Sequence, residues 1–323
     1  RGFALLLAWR FGPAGWIGGE LIGFLVAIGF LFRPTLADLR PERDPVLGKD
    51  LLRAGIALLP MLFAHWVMIG ADRYVMLLML PDATEAIGLY TVGERIGTIV
   101  QLANVAFTLG WQRYAFENFL RRDGAERVSH GLTLYVLLAG YLTMALALLG
   151  DDLTHWVMPA AYEGGMAVIP LVTLAGFCGG LAELVGVALQ RANQSTKLSA
   201  LTSLSAALQV GLLVLLVPTA GIRGAAAAGL ACQLLKLILV AAAARKAMPI
   251  PWDVRRMGML LAIFFGVFAA GQVFRPFGWA AATAAQSALV LATPLLLWRL
   301  DVLTDDERDR IREGWRRLTG RKA

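Results

Sequence analysis

GLTLYVLLAGYLTMALALLG, residues 131–150, runs for twenty residues without a charge. As a helix it rises about 30 Å, the thickness of a bilayer's hydrocarbon core. Arg121-Arg122 precede it and Asp151-Asp152 follow it. Positive charge collects in cytoplasmic loops, so the stretch reads as a membrane span of about 128–150, with its basic end in the cytoplasm. The rest of the chain repeats the pattern. Basic clusters return at Arg245-Lys246, Arg255-Arg256 and Arg316-Arg317, whereas 81–85 and 218–221 are acidic or nearly neutral.

Composition supports the same class. Hydrophobic residues make up 58% of the 323 residues, charged residues 16%, and the mean hydropathy is +0.65. A soluble domain carries about a quarter charged residues. A net charge of +7 would suggest nucleic acid in a soluble protein. Here the excess falls in loops of one side, so topology explains it and no nucleic-acid partner is expected. Cys178 and Cys232 lie inside apolar stretches and read as packing residues. The chain opens at Arg1 and enters an apolar run at once, which reads as a fragment that starts inside a helix.

The expected fold is all-α, a polytopic transmembrane helical bundle. After a stub at 1–10, spans are expected near 13–32, 51–80, 84–118, 128–150, 164–190, 196–217, 222–244, 257–275 and 278–299. Pro60 predicts a kink in the second of these. Residues 34–50 mix both charge signs and read as a flexible cytoplasmic linker. Thr304-Asp305-Asp306-Glu307 fits a capping box. It opens a basic cytoplasmic tail that either lies on the membrane or frays in water.

Two turns resemble each other. Gly12 and Gly15 follow one apolar stretch; Gly221 and Gly224 follow another at the same spacing. The pair reads as an internal duplication, a common feature of transporters, or as two independent glycine helix ends.

No metal spacing, phosphate-binding loop or nucleophile motif occurs. No metal or cofactor is expected, and transport is favoured over catalysis. The telling residues are polar ones inside spans. Tyr90, Glu94, Thr98, Gln101, Asn104, Thr108 and Gln112 recur at intervals of three or four, so a helix sets them on one face. Lipid cannot satisfy such a face. It reads as the wall of a hydrated cavity, or as a polar seam between helices. A shorter stripe, Ser195, Ser199, Thr202, Ser205 and Gln209, suits close helix packing better. Asp72-Arg73 and Glu94-Arg95 form acid–base doublets at similar depth on neighbouring helices. They read as interhelical ion pairs or as a cationic patch for an anionic substrate. Lys236 is either a second cavity cation or a snorkelling side chain, and Glu183 a candidate coupling-ion ligand or a helix contact. Glu20 and His65 are the other ionisable groups in or near spans.

With those residues in place, the chain resembles the O-antigen and exopolysaccharide flippases of the multidrug/oligosaccharidyl-lipid/polysaccharide exporter superfamily. The resemblance rests on 70–75 (Gly-Ala-Asp-Arg-Tyr-Val), on 86–92 with its Gly88-x-Tyr90, and on 109–116 around Trp111. It also rests on Ala160-Ala161-Tyr162, on Ile169-Pro170-Leu171 and on the turns at Gly12 and Gly221. It covers roughly 1–250. Gln112 stands where the family usually has proline.

The resemblance implies two pseudo-symmetric six-helix lobes around a central cavity, followed by two further helices. On that plan 1–33 ends an N-terminal lobe whose first four helices are missing, and 34–50 is the linker. The C-terminal lobe is 51–246, the added helices 257–299 and the tail 300–323. The implied function is flipping of a lipid-diphosphate-linked oligosaccharide across the bacterial inner membrane, for cell-surface polysaccharide. Arg73 and Arg95 would contact the diphosphate, with Lys236 a weaker candidate. Glycosyltransferases and a polysaccharide polymerase would be partner enzymes, and membrane lipids the surroundings. The rivals are a cation-coupled exporter of the same superfamily, a membrane-embedded glycan polymerase or ligase, and a non-transporting scaffold.

Overall fold

The computed structural model describes residues 2–38, 45–119, 121, 123–248, 251–300, 302, 304 and 307–308. Among them all regular structure is helical. The elements are α1 (Gly2–Asp38), α2 (Pro45–Met79), α3 (Ala83–Asn118), α4 (Gly124–Val157), α5 (Ile169–Arg191), α6 (Ser195–Ala247), α7 (Val254–Val273) and α8 (Trp279–Arg299). Short 3-10 helices, Ala160–Val168 and Arg275–Phe277, precede α5 and α8.

Among the described residues six stretches are long and apolar enough to cross a bilayer: Leu59–Met79, Gly124–Val157, Ala160–Arg191, Ser195–Ala247, Val254–Phe277 and Trp279–Arg299. This is a multi-pass membrane protein. The stub and 13–32 follow one another within α1, and 196–217 and 222–244 within α6, each pair meeting at a glycine whose backbone leaves the helical region, Gly12 and Gly221. α3 is absent from the apolar set because its polar stripe runs along nearly its whole length. The linker expected at 34–50 is helical at both ends, since α1 runs to Asp38 and α2 begins at Pro45; 39–44 lie outside the described residues. α2 continues as helix through Pro60.

The chain forms two compact units, Arg1–Gly55 and Ile56–Ala323. The first holds α1 and the start of α2. α1 breaks at Gly12, with φ 61° and ψ −142°. Only glycine adopts that conformation readily.

In the second unit α6 breaks at Gly221 with nearly the same angles, φ 56° and ψ −133°. Straight, its 53 residues would reach about 80 Å, far beyond the bilayer. The break folds it into a hairpin instead. Leu198 and Val240, from opposite halves, both pack within 4 Å of the position a Cβ would take on Gly186. At the tip, a Cβ on Gly224 would lie 2.2 Å from the Leu216 carbonyl oxygen. In α1 a Cβ on Gly15 would lie 2.1 Å from the Leu7 carbonyl oxygen. The pairs Gly12/Gly221, Gly15/Gly224 and Leu7/Leu216 keep one register, so both turns are built from matching parts.

α5 runs through the middle of the second unit, against α3, α4 and both halves of α6. Gly180 lets the Tyr135 hydroxyl and Asn104 approach its backbone: an added Cβ would lie 2.2 Å from that hydroxyl. Tyr135 stacks on Phe177, and Trp111 donates from Nε1 to the Leu184 carbonyl at 3.0 Å. α7 and α8 pack on α4.

Cross-links sort the connections into two ends. Trp111 to Leu184 joins the last turns of α3 and α5. Ser129 Oγ donates to the Pro251 carbonyl at 2.6 Å, and Arg256 Nε to the Val302 carbonyl at 2.7 Å. Connections 119–123, 192–194 and 248–253, and the segment after α8, therefore share one end. That end carries Arg121, Arg191, Lys197, Arg245, Lys246 and Arg255. Arg256 also pairs there with Glu307. Glu307 accepts the Thr304 backbone N–H at 3.0 Å, the return bond of the expected capping box. The tail from 309 on lies outside the described residues. At the other end Arg275 pairs with Asp151 at 2.5 Å and Thr283 donates to Asp152 at 2.6 Å.

Candidate functional site

A cavity of about 260 Å³ opens between α2, α3, α5 and α6 of the second unit. α3 lines it with Tyr90, Glu94, Gln101 and Asn104, four members of the expected polar stripe. α2 adds His65, Met68 and Asp72. α5 recedes where Gly176, Gly179 and Gly180 offer no side chain, and then presents Glu183. The α6 hairpin contributes from both halves, Gln209 from the first and Gln233 from the second.

The other stripe residues do not line the cavity, for a chemical reason in one case. The Thr98 hydroxyl donates to the Glu94 carbonyl of its own helix at 3.1 Å. Thr108 and Gln112 lie further along α3, and Gln112 is exposed. In α6 the same back-bonding satisfies Thr202, at 2.9 Å to Leu198, and Ser205, at 2.9 Å to Leu201. These hydroxyls settle on the turn below in their own helix, so they do not reach the cavity. Amides and carboxylates reach across.

The charged residues separate by sign. Asp72, Glu94 and Glu183 line the cavity; neither expected arginine does. Arg73 pairs with Glu94 and so ties α2 to α3, which is the interhelical ion pair between the doublets. The Asp72 carboxylate is buried and accepts the Arg73 backbone N–H at 2.8 Å. Arg95 is exposed, with no ion pair among the described residues. Lys236 is buried outside the lining, its Nζ 4.0 Å from Glu183 Oε1.

Hydrogen bonding completes the wall. Asn104 Nδ2 donates to the Gly176 carbonyl at 2.9 Å, while its Oδ1 accepts from the Tyr135 hydroxyl at 2.7 Å. Gln209 Nε2 donates to the Met68 carbonyl at 3.1 Å. Among the described residues no donor reaches the Oε1 atoms of Gln209 and Gln233, and both atoms are sealed from solvent. Gln209 belonged to the stripe that read as packing. Gln233 was not singled out in the sequence: a lone glutamine in an alanine- and leucine-rich run has no periodic companion, and only the hairpin brings it to the site.

A second, apolar cavity of about 390 Å³ lies between α4, α5 and α7, lined by Leu174, Phe177, Phe264 and Phe268 among others. Among the described residues no cluster of three His, Cys, Asp or Glu side chains could hold a metal ion. Comparison with known proteins gives no matching family, no matching curated protein and no matching solved structure.

Proposed function

We propose that this chain acts as a membrane flippase for a lipid-diphosphate-linked oligosaccharide, serving cell-surface polysaccharide synthesis at the bacterial inner membrane. The observation that carries the reading is a cavity lined by amides and carboxylates inside a bundle of apolar helices. Such groups have no place against lipid. Amides supply both donors and acceptors, which suits sugar hydroxyls. The glycan would enter the cavity and the lipid tail would stay in the bilayer. The exposed Arg95 guanidinium would meet the diphosphate, for which its planar fork is well shaped. No bond is made or broken. The matching breaks at Gly12 and Gly221 support a repeated transporter architecture. The basic end of the bundle, with the C-terminal segment, would face the cytoplasm. Glycosyltransferases would supply the cargo there, and a polymerase would use it on the other side.

The test is transbilayer movement of a fluorescent lipid-diphosphate disaccharide in vesicles holding the native protein. Movement that is lost in Arg95→Ala, with protein levels unchanged, is expected. Vesicles with and without the protein behaving alike would sink the reading. One observation favours a second reading, a cation-coupled exporter: three carboxylates line the cavity. That protein would expel a soluble dye on an ion gradient and ignore lipid-linked sugar.

A further inference from the structure

Lys236 stands inside the bundle with one charged neighbour. Nine residues of α6, about 13 Å of helix, separate it from Arg245 at the basic end. Its side chain is 6% exposed, and Nζ lies 4.0 Å from Glu183 Oε1 on α5. It therefore does not snorkel to the basic surface. Nor does it tie two helices as other pairs do. Arg73 hydrogen-bonds Glu94, and Arg275 hydrogen-bonds Asp151. Lys236 makes no hydrogen bond among the described residues. A desolvated ammonium with three unused donors is costly, and an apolar side chain would pack this position at less cost. What the lysine supplies is a positive charge beside one carboxylate.

The place of that charge is the floor of the polar cavity. Glu183 lines the cavity, and its side chain is 43% exposed. On α6, Ala226, Gly229 and Gln233 line it at intervals of three and four, and Lys236 takes the next place on that face. One turn further on, Leu198 and Val240 close within 4 Å of the position a Cβ would take on Gly186, and Val240 is fully buried. The cavity thus ends at Glu183. A carboxylate at the end of a wet cavity inside a membrane draws a cation. Lys236 already provides one. It carries the single charge of a monovalent ion, and its covalent tether keeps it at hand, so a free ion must displace it.

We infer that Lys236 occupies the place of a coupling ion at Glu183, so that this carboxylate holds no free sodium or potassium. Glu183 is the ligand, and Lys236 is the tethered cation that excludes its competitors. With the lysine shortened to alanine, the carboxylate stands open to the cavity beside the space the side chain leaves, and a monovalent cation takes it. The inference concerns the ion and not the cargo, so it goes beyond the flippase reading and stands or falls apart from it.

The test is a gain of binding, measured on the native protein and its variants in lipid nanodiscs. Thermal midpoints are compared in sodium chloride and in choline chloride of equal ionic strength, choline being too bulky to sit where the lysine side chain was. The native midpoint should be the same in both salts. Lys236→Ala leaves Glu183 unpaired, so its midpoint should fall in choline and rise by a few degrees when sodium replaces it. That variant should also bind radioactive sodium that the native protein does not. Adding Glu183→Gln should remove both the extra sodium and the difference between salts, and it supplies a neutral pair that needs no ion to fold. A Lys236→Ala protein recovered only in sodium would support the inference in the same way. Sodium bound by the native protein and lost in Glu183→Gln would overturn it. So would a Lys236→Ala protein that takes up no sodium or that fails to fold in either salt, because sodium would then be no substitute and the lysine a structural partner. None of these readouts depends on flipping.

Discussion

Arg73 and Arg95 are the same residue type on adjoining helices, yet their surroundings give them different work. Arg73 holds Glu94 across the α2–α3 contact; Arg95 stands exposed with no ion pair among the described residues. Removing Arg73 leaves Glu94 without its partner. Since the Arg73 side chain is 39% exposed, the cost should be about 2 kcal/mol, between a surface pair and a buried one. Arg73→Ala should therefore lower the thermal midpoint in detergent, and adding Glu94→Gln should restore most of it. Arg95→Ala breaks no such pair. It should leave stability alone and cut flipping about ten- to a hundredfold, the worth of a charge-assisted contact. Arg95→Lys should keep part of the activity. The polar stripe of α3 was legible in the sequence because a helix repeats every 3.6 residues. Which members reach the cavity was not, because that turns on the partner each side chain takes: Thr98 bonds its own helix, whereas Asn104 reaches Gly176 on α5. The acidic character of the wall was not legible either. Doublets such as Asp72-Arg73 place both signs within one turn, and only packing decides which side chain turns inward.

Among the elements, the α6 hairpin does most to assemble the site, since it brings Gln209 and Gln233 to one wall. Its reversal depends on Gly221, whose φ is +56°, and on Gly224, which packs on the Leu216 carbonyl. Gly221→Ala should cost about 1–3 kcal/mol in backbone strain. Gly224→Ala should cost a similar amount, because a methyl group 2.2 Å from an oxygen must push the hairpin open. Both should lower the thermal midpoint, whereas Gly211→Ala, with no atom near its Cβ position, should not. An unchanged midpoint in the first two would contradict the hairpin geometry. By contrast, Tyr135→Phe removes one hydrogen bond to Asn104, worth about 0.6–1.7 kcal/mol in a membrane bundle. It should leave the fold intact. The glycine spacing was visible in the sequence. The two spans that meet there, 196–217 and 222–244, were legible too; that their reversal sets Gln209 and Gln233 on one cavity was not, because that depends on how the two halves pack. The helical ends of the 34–50 region escaped for a different reason: alternating charges suit a solvated helix as well as a linker.

For the whole molecule, charge and connectivity agree. The basic connections lie at one end of the bundle, where the links from Trp111, Ser129 and Arg256 gather them. Single cysteines at Arg121 and Arg245 should resist an impermeant thiol reagent added to intact cells, and one at Glu163 should react. Labelling at Arg121 from outside would reverse the orientation.

The central claim is that a water-filled polar cavity lies within a membrane bundle. Reaction rates of two adjacent α3 positions test it most directly. Cys178 and Cys232 are buried and would first be replaced by alanine. Both are exposed, but Gln101 lines the cavity, whereas Leu102 lies outside its lining, on the outer surface of the bundle where lipid would cover it. In membranes, Gln101→Cys should react with a water-soluble maleimide at least about tenfold faster than Leu102→Cys, because a thiol in hydrocarbon neither ionises nor meets the reagent. Equal rates at the two positions, or no reaction at Gln101→Cys, would contradict the account.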